Sequence, residues 1–274
     1  MSRIDSHQHF WRLDRGDYGW LTPSLEPIYR DYLPSDLAPQ LARAGVESTV
    51  LVQAAPTVAE TLFMLELARD NPFFAGVVGW VDFESPMAGD TIVTLAEDAS
   101  LVGLRPMIQD IPDVAWMLKP ALAPAIETMI DHDLVFDALV LPQHLDVLRD
   151  FVDLYPELRL VVDHGAKPPL RGGDLADWKA GIQAIAGSTR AVCKLSGIVT
   201  EAGSANPAVL SECVDHLVSC FGPERLMWGS DWPVCELVCS YDEWHQASEM
   251  LLVTLGAAER ERIYSGTARE TYGI

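Results

Sequence analysis

The sequence predicts an α/β protein built as a single-domain (β/α)8 barrel of the TIM type. Eight short apolar segments of strand length recur along the chain, and each is followed by a segment whose apolar residues have helical spacing. This alternation extends over roughly 250 residues, the typical length of such a barrel. A doubly wound open sheet is the alternative, but its glycine-rich phosphate turn after an early strand is absent from the sequence. Because no low-complexity segment, close repeat or linker interrupts the pattern, we expect one domain over residues 1–274.

The predicted strands are the apolar segments themselves. Several of them are continuously apolar, such as Thr49-Val50-Leu51-Val52 and Leu160-Val161-Val162. Strands of this kind are covered on both faces, in a barrel by the interior and by the outer helices. The eight segments are Arg3 to His9, Ser48 to Ala54, Phe74 to Asp82, Val102 to Met107, Leu134 to Leu141, Leu158 to His164, Val192 to Ile198 and Leu226 to Asp231.

The helical segments between the strands carry recognisable end signals. Thr57-Val58-Ala59-Glu60 has the spacing of a capping box and opens a helix that is expected to run to about Asp70. Asn206-Pro207 combines an N-cap residue with proline at the first helical position, and the apolar spacing that follows ends at Gly222. Two further apolar stripes predict helices that end before Pro156 and near Gly187.

The composition excludes several classes of partner. Forty acidic against nineteen basic residues give a net charge of −21, which disfavours nucleic acid and anionic membrane surfaces because both require clustered Lys and Arg. The five cysteines are an odd number without paired C-x-x-C spacing, as in a reduced interior. No apolar run approaches the length of a membrane span. We therefore expect a soluble cytoplasmic protein whose partner is a small molecule, and the oligomeric state stays open.

Polar side chains follow nearly every predicted strand. His7 and His9 alternate in an extended strand, so both imidazoles point to the same face. In a barrel the strand ends open into one shared mouth, where polar groups meet although they are far apart in sequence. The residues at these ends are His7, His9, Gln53, Asp82, Arg105, Gln143, His144, His164, Lys194, Ser196 and Asp231. The irregular segment from Trp11 to Pro34 follows the histidine pair, where a barrel places a substrate-covering loop.

A set of motifs occurs in order along the chain. They are I-D-S-H-Q-H-F-W, V-L-V-Q-A-A-P, G-V-V-G-W-V-D, G-L-R-P-M, V-D-H-G-A-K-P, C-K-L-S-G and G-S-D-W-P, and they cover essentially the whole chain. This ordered set resembles the lactonase branch of the amidohydrolase superfamily, which includes L-fuconolactonases, L-rhamnonolactonases, sulfomuconolactone hydrolases and pyrone-dicarboxylate lactonases. The resemblance implies a barrel of the amidohydrolase type and hydrolysis of a cyclic ester.

The same resemblance bears on metal binding. Binuclear branches of the superfamily carry a carbamylated lysine or a carboxylate at the end of strand four, whereas this sequence has Arg105-Pro106-Met107 there. We therefore expect at most one divalent, zinc-like ion, held by His7, His9 and Asp231. Metal-independent hydrolysis also stays open, since some lactonases of this branch are described as needing no metal.

Roles can be assigned to the residues of the mouth. The catalytic residues are predicted to be Asp231, as general base for the attacking water, and His164, which would bind or polarise the lactone carbonyl. The alternatives are a helix N-cap for Asp231 and a core histidine for His164. The predicted substrate-binding residues are His7, His9, Gln53, Arg105, His144, Lys194, Trp11 and Trp20. Arg105 and Lys194 could instead pair with neighbouring carboxylates, and the tryptophans could instead belong to the core.

The predicted substrate is a neutral sugar lactone of the fucono, rhamnono or galactono type. A chain with a net charge of −21 and few basic residues at its strand ends would repel dianionic lactones. Three alternatives stay open: a sulfomuconolactone or pyrone-dicarboxylate lactonase, a metal-dependent decarboxylase of the same superfamily, and a binding barrel without catalytic activity.

Overall fold

A computed structural model describes residues 3–274 and has the predicted (β/α)8 architecture. Eight parallel strands form one sheet, in which each strand pairs with the next one along the chain. The strands are β1 (Arg3–Gln8), β2 (Val46–Val52), β3 (Phe74–Gly79), β4 (Leu101–Leu104), β5 (Val135–Ala138), β6 (Leu160–Val162), β7 (Val192–Leu195) and β8 (Leu226–Trp228). All eight predicted strands are confirmed.

Successive strand residues bury opposite faces. Val50 and Val52 of β2 lie in the cluster that fills the lower barrel interior, whereas Leu51 lies in the larger cluster between strands and helices. All three are fully buried, as expected for a strand covered on both sides. Ala268 and Tyr272 from the last helix join the interior cluster. The C-terminal segment therefore closes the lower end of the barrel, which is the end opposite the mouth.

The helices surround the sheet. They are α1 (Pro34–Ala44), α2 (Val58–Asp70), α3 (Ala88–Leu95), α4 (Ala123–Asp131), α5 (Leu145–Leu154), α6 (Ala176–Ser188), α7 (Ile198–Ala202), α8 (Pro207–Phe221), α9 (Tyr241–Leu251), α10 (Ala257–Glu261) and α11 (Thr267–Tyr272), with a π-helical turn at Arg262–Gly266. Within residues 3–274, no helix is both long and apolar enough to cross a bilayer.

The cap of α8 is confirmed in full and that of α2 in part. Asn206 accepts a hydrogen bond from the Ala208 N–H, and Thr57 accepts one from the Glu60 N–H. The Glu60 carboxylate does not return to Thr57. It accepts instead from the backbone N–H groups of Ala54 and Ala55 at the end of β2, because these buried donors would otherwise have no partner.

The barrel closes between β8 and β1 through the residues that follow these strands. His9 N donates to Trp232 O at 2.7 Å, and Asp231 N donates to His7 O at 2.8 Å. The buried Asp5 carboxylate accepts from the N–H groups of Ser230 and His7. This seam therefore brings the last strand's carboxylate, Asp231, beside the histidine pair.

The predicted strands run further than the observed ones at their C-terminal ends. The sixth was predicted to continue to His164 and the eighth to Asp231, but β6 ends at Val162 and β8 at Trp228. His164 and Asp231 have φ angles of 53° and 56°, in the left-handed region that an L-residue occupies at a cost. The backbone thus leaves the strand before the two predicted catalytic residues, which directs both side chains into the mouth.

The segment from Trp11 to Pro34, which we call the cover, packs through its aromatic residues against the end of the barrel. Trp11 and Tyr32 form an antiparallel bridge, and their rings contact each other at 5.3 Å between centroids. Tyr32 also contacts the ring of Trp232 at 5.0 Å, next to the catalytic candidate Asp231. The aromatic residues of this segment therefore fix the cover to the seam between β8 and β1.

Candidate active site

Four side chains meet at the C-terminal ends of the strands, and we call them the mouth cluster: His7, His9, His164 and Asp231. The Nε2 atoms of His9, His7 and His164 lie 3.2, 3.8 and 3.9 Å from the same oxygen, Asp231 Oδ1. All four residues are buried, with Asp231 and His164 each 4% exposed. The Asp231 side chain caps no helix, since the turn that follows it begins after Pro233 without a side-chain cap.

Two glycines make room for this cluster. A Cβ atom at Gly197 would lie 2.6 Å from His164 Nδ1, and one at Gly229 would lie 2.7 Å from His7 Cβ. Both distances are below any ordinary contact, and Gly197 also has a φ of 65°. The glycines of C-K-L-S-G and G-S-D-W-P are therefore required by the packing of the histidines beside them.

The hydrogen-bond partner of His9 determines which ring nitrogen faces the mouth. His9 Nδ1 lies 2.7 Å from the carbonyl oxygen of Val52, which can only accept, so Nδ1 carries the hydrogen. In the neutral ring, Nε2 then presents a lone pair to Asp231 Oδ1. Two acceptors at 3.2 Å need a proton or a cation between them. This pair is therefore a place for a proton or for a metal ion.

Burial controls the protonation of the mouth cluster. It lowers the pKa of His164 to about 4 and, with Lys194 adding to the effect, lowers the pKa of His7 well below its ordinary value. Burial alone would raise the pKa of Asp231, but the adjacent imidazoles, His164 first and then His9, bring it below its ordinary value. At neutral pH the cluster thus combines an ionised carboxylate with neutral His7 and His164.

A second set of polar side chains, four charged residues and one tyrosine, lies directly beneath the mouth cluster, and we call it the floor network: Arg105, Asp137, Asp163, Lys194 and Tyr272. Lys194 Nζ lies 2.5 Å from Asp137 Oδ2 and 3.2 Å from Asp163 Oδ1. Arg105 Nη1 lies 3.3 Å from Asp163 Oδ2, and the Tyr272 hydroxyl donates to Asp137. The positive charges of the two cations therefore offset the negative charges of the two carboxylates.

Sequence reasoning missed Asp137, Asp163 and Tyr272. Asp137 stands inside the apolar run V-F-D-A, and Asp163 precedes His164 at the end of another. A charged residue within a continuously buried strand needs a partner of opposite charge, which is the signal that could have drawn attention to both. Tyr272 carries no comparable signal in the sequence.

A cavity of about 180 Å³ opens above the mouth cluster. Five of the predicted site residues line it: His9, Trp20, Arg105, His164 and Asp231. The remaining lining residues were not among the predicted site residues and are Ala54, Met107, Gln109, Asp110, Leu139, Lys167 and Val234. The cavity thus offers both charged and apolar surface to a small ligand.

The other predicted substrate-binding residues do not reach this cavity. His7 is fully buried beneath it. Lys194 forms ion pairs with neighbouring carboxylates, which was the alternative to substrate binding that the sequence left open. The Gln53 amide donates to Arg105 O, and His144 Nδ1 accepts from Leu141 N at the start of a turn. The indole of Trp11 donates to Arg30 O within the cover. None of these five residues lines the cavity, so their direct contact with a substrate stays a prediction, and the buried Gln53 Oε1 and His144 Nε2 have no hydrogen-bond partner among the described residues.

One metal ion fits the upper part of the site. Ligand atoms of His7, His9 and Asp231 lie within 4.8 Å of one another, and so do those of His7, Asp163 and His164. Only the first set contains the unshared His9 lone pair that faces a carboxylate. In the second set, the Lys194 ammonium already lies 3.2 Å from both Asp163 Oδ1 and His7 Nδ1. A second ion would have to displace this ammonium.

Comparison with known proteins shows the family of the chain. A family model described as amidohydrolase matches residues 4–274. The L-fucono-1,5-lactonase of Burkholderia ambifaria is 44% identical over 99% of this chain and 96% of its own, and that of Burkholderia multivorans is 38% identical with the same coverage. A solved structure of an amidohydrolase from Burkholderia multivorans with bound zinc is 38% identical, with a TM-score of 0.94 over 100% of both chains. The chain therefore belongs to the amidohydrolase family.

Proposed function

We propose that the protein hydrolyses a sugar lactone to the aldonic acid, with L-fucono-1,5-lactone as the first candidate. Two relatives at 44% and 38% identity carry the name L-fucono-1,5-lactonase and match nearly the full chain. The convergence of three imidazoles on Asp231 Oδ1 beside a small cavity is the observation that carries the proposal. The cavity of about 180 Å³ suits a single ring, because drug-sized ligands occupy pockets of roughly 300–1,000 Å³.

Asp231 is the general base in this proposal. Its carboxylate faces the cavity and is ionised, so it can accept a proton from a water molecule as the water oxygen attacks the lactone carbonyl carbon. The tetrahedral intermediate then collapses, and the bond between the carbonyl carbon and the ring oxygen breaks. The proton held by Asp231 passes to the departing alkoxide, which becomes a hydroxyl group of the open acid.

The negative charge that develops on the carbonyl oxygen needs donors in the cavity. Arg105 and Lys167 line the cavity with positive charge, and the buried Arg105 Nε has no hydrogen-bond partner among the described residues. Ser196 Oγ lies 2.8 Å from His164 Nδ1. If the hydroxyl donates to Nδ1, then Nε2 carries the ring hydrogen and donates into the mouth. Arg105 and His164 are buried and held by protein contacts, as stabilisation of an oxyanion requires.

A single divalent ion would be held by His7, His9 and Asp231. It would supply Lewis-acid polarisation and a bound water whose pKa is lowered from 15.7 to about 7. The solved relative with bound zinc supports a divalent ion as a proposal for the present chain, and the ligand set comes from the residues that lie close together here. Since an activated lactone is more electrophilic than an amide, the carboxylate base and the fixed donors of the cavity account for much of the assistance that the reaction needs.

The charge of the cavity favours a neutral substrate. Arg105 and Lys167 are balanced there by Asp110 and Asp231, and Arg105 is also paired with Asp163 beneath it. A dicarboxylate would therefore meet no uncompensated pair of cations, and the net charge of −21 would repel it during approach. A sugar lactone, whose hydroxyl groups both donate and accept hydrogen bonds, suits these mixed partners.

The test is turnover of a panel of purified lactones. Release of acid from L-fucono-, L-rhamnono- and galactonolactones would be followed by a pH indicator, with a pyrone dicarboxylate and an aromatic carboxylate as the comparison substrates. We expect hydrolysis of at least one sugar lactone, most efficiently of the fucono type. Efficient hydrolysis of the pyrone dicarboxylate, or decarboxylation of the aromatic acid, without turnover of any sugar lactone would contradict the proposal.

A further inference from the structure

We infer that Lys194 is a positioning residue that fixes the tautomer of His7 and is itself anchored, through Asp137, to Tyr272 of the C-terminal helix. The inference rests on the proposed function, because it concerns how the mouth cluster is held for catalysis. It assigns a role to a buried ammonium that touches neither the cavity nor a substrate within it. It also assigns a role in the active site to the last helix of the chain.

The floor network connects the C-terminal helix to His7 without a gap. The Tyr272 hydroxyl lies 3.0 and 2.9 Å from the two oxygens of Asp137. Asp137 Oδ2 lies 2.5 Å from Lys194 Nζ, and this nitrogen lies 3.2 Å from His7 Nδ1. Tyr272 also places its ring 5.4 Å from Lys194 Nζ, within the range of a cation–π contact. Lys194, Asp137 and His7 are each 0% exposed, so water does not substitute for any of these partners.

His7 lies between two cationic donors. Lys194 Nζ lies 3.2 Å from His7 Nδ1, and Arg105 Nη1 lies 3.2 Å from His7 Nε2. A neutral imidazole has one lone pair, so it can accept from only one of the two. The guanidinium holds its hydrogens in a fixed plane, whereas an ammonium can rotate its three hydrogens toward other acceptors. While no metal ion is bound at His7, this residue therefore accepts a hydrogen bond from Arg105, and its lone pair belongs on Nε2.

The carboxylates select the same tautomer. Lys194 can direct its hydrogens to Asp137 and Asp163, and Asp163 Oδ1 lies 3.5 Å from His7 Nδ1. No donor meets full hydrogen-bond geometry at Asp163 Oδ1 among the described residues, and two nearby donors are the Lys194 ammonium at 3.2 Å and His7 Nδ1 at 3.5 Å. A hydrogen on His7 Nδ1 supplies the second of these donors. Lys194 thus holds Asp163 ionised and in place beside Nδ1, and His7 presents Nε2 toward Asp231, as His9 does.

Stability alone gives a weak reason for this arrangement. Buried ion pairs are often replaceable by apolar residues of similar size without loss of stability. An apolar replacement, however, could not determine which ring nitrogen of His7 carries the hydrogen. A partner that orients a catalytic or ligating histidine typically contributes about 10- to 100-fold to activity or metal affinity.

The main test is the double variant Asp137→Asn/Lys194→Met. It removes one positive and one negative charge together, so it avoids the buried unpaired carboxylate that Lys194→Met alone would leave. We expect a folded protein in which kcat falls by about 10- to 100-fold, with a much smaller change in KM, since neither residue contacts the cavity. Nitrogen-15 NMR of the histidine rings should show His7 protonated on Nδ1 in the wild type and redistributed toward Nε2 in the double variant.

A milder pair of variants tests the connection to the C-terminus. Tyr272→Phe removes the hydroxyl that donates to Asp137. Tyr264→Phe, its matched control, removes a buried hydroxyl of the same segment that contacts Ser248 instead. Tyr272→Phe should lower kcat and shift the His7 ring signals, whereas Tyr264→Phe should do neither.

The ring signals need no substrate, so they separate this inference from the proposed function. If no sugar lactone is hydrolysed, the proposed function fails while the NMR comparison still reports on Lys194. Wild-type His7 signals in the folded double variant, or in Tyr272→Phe, would overturn the inference. Equal losses of kcat in Tyr272→Phe and Tyr264→Phe would overturn it as well, because they would indicate a general effect of the barrel floor.

Discussion

The mouth cluster and the floor network lie one layer apart and differ in how their charges are satisfied. In the floor network, the cations Arg105 and Lys194 meet the carboxylates of Asp137 and Asp163. In the mouth cluster, one ionised carboxylate faces three imidazoles, of which His9 directs a lone pair at it. A balanced set of charges holds side chains in place, whereas an incomplete set leaves a position for a proton, a water or an ion. We therefore expect the floor network to hold the side chains of the site in place, and the mouth cluster to bind the proton, water or ion that takes part in the reaction.

The largest effect is expected when the single carboxylate of the mouth is neutralised. Asp231→Asn is nearly isosteric but cannot take a proton from water at neutral pH, so kcat should fall by about 10²- to 10⁴-fold. The fold should persist, since the Asp231 side chain caps no helix. Measuring kcat and the thermal midpoint together checks this prediction. A folded variant with near-normal kcat would place the general base elsewhere, and His164 would be the next candidate.

Metal binding should distinguish the mouth cluster, where we expect an ion, from the floor network, where we expect none. We expect no more than one zinc ion per chain, because Lys194 and Arg105 already supply the positive charge of the floor. His9→Gln should weaken zinc binding by more than about 10-fold, since loss of a ligand exceeds loss of its hydrogen-bond partner. The matched control is His144→Gln, at a buried histidine that does not line the cavity. Elemental analysis after zinc titration gives the stoichiometry, and two ions per chain would contradict the assignment.

A smaller effect is expected at the rim of the cavity. Trp20 lines the cavity, and its indole donates to Ala54 O at 2.7 Å. Trp20→Phe loses this hydrogen bond, which is worth about 0.5–1.5 kcal/mol, so KM should rise by about 2- to 10-fold with little change in kcat. Trp116→Phe is the control, because its indole bonds to Glu84 outside this cavity. A fall in kcat without a change in KM would show that Trp20 acts on the chemical step.

The fold could be predicted from the sequence because its signals are local. Each strand is a continuous apolar run, and a parallel barrel is the architecture that buries eight such runs on both faces. The strand ends were predicted less well, since the turns at His164 and Asp231 use left-handed conformations, which His and Asp adopt more often than most residues but still only in a minority of cases. Helix ends with a proline or an N-cap residue, as at Asn206, were predicted closely.

Parts of the candidate site could be predicted where the relative positions of two side chains depend on a single strand. The alternation of His7 and His9 depends on β1 alone, and the four residues of the mouth cluster follow strands that end at one edge. The floor network depends on distances between elements. Lys194 of β7 reaches Asp137 of β5 across an intervening strand, and Tyr272 arrives from the opposite end of the barrel. Such contacts exist only after the barrel has closed, so the sequence left Lys194 open between a substrate ligand and an ion-pair partner, and the structure shows it paired with Asp137 and Asp163.

Glu60 offers a third arrangement against which the two layers can be compared. It is a fully buried carboxylate near the mouth, and its partners are the backbone N–H groups of Ala54 and Ala55. Burial raises its pKa from 4.5 to about 8, although the two backbone donors oppose this effect. Glu60 is therefore largely protonated at neutral pH, whereas Asp231 and Asp163, with nearby imidazoles or cations, have pKa values below the ordinary range.

This difference predicts how stability depends on pH. The unfolded chain ionises Glu60 at its ordinary pKa of 4.5, whereas the folded chain retains the proton up to about 8. The contribution of Glu60 is therefore fully present below pH 4.5 and is lost as the pH rises through 8, because the unfolded state is then favoured by ionisation. Glu60→Gln cannot ionise, so the thermal midpoint of the wild type should decline more steeply than that of the variant between about pH 5 and pH 8. Glu66→Gln, at an exposed position of the same helix, should follow the wild type. Parallel curves for the wild type and Glu60→Gln would mean that the two backbone donors keep Glu60 ionised, and that this residue belongs with the charged groups of the floor.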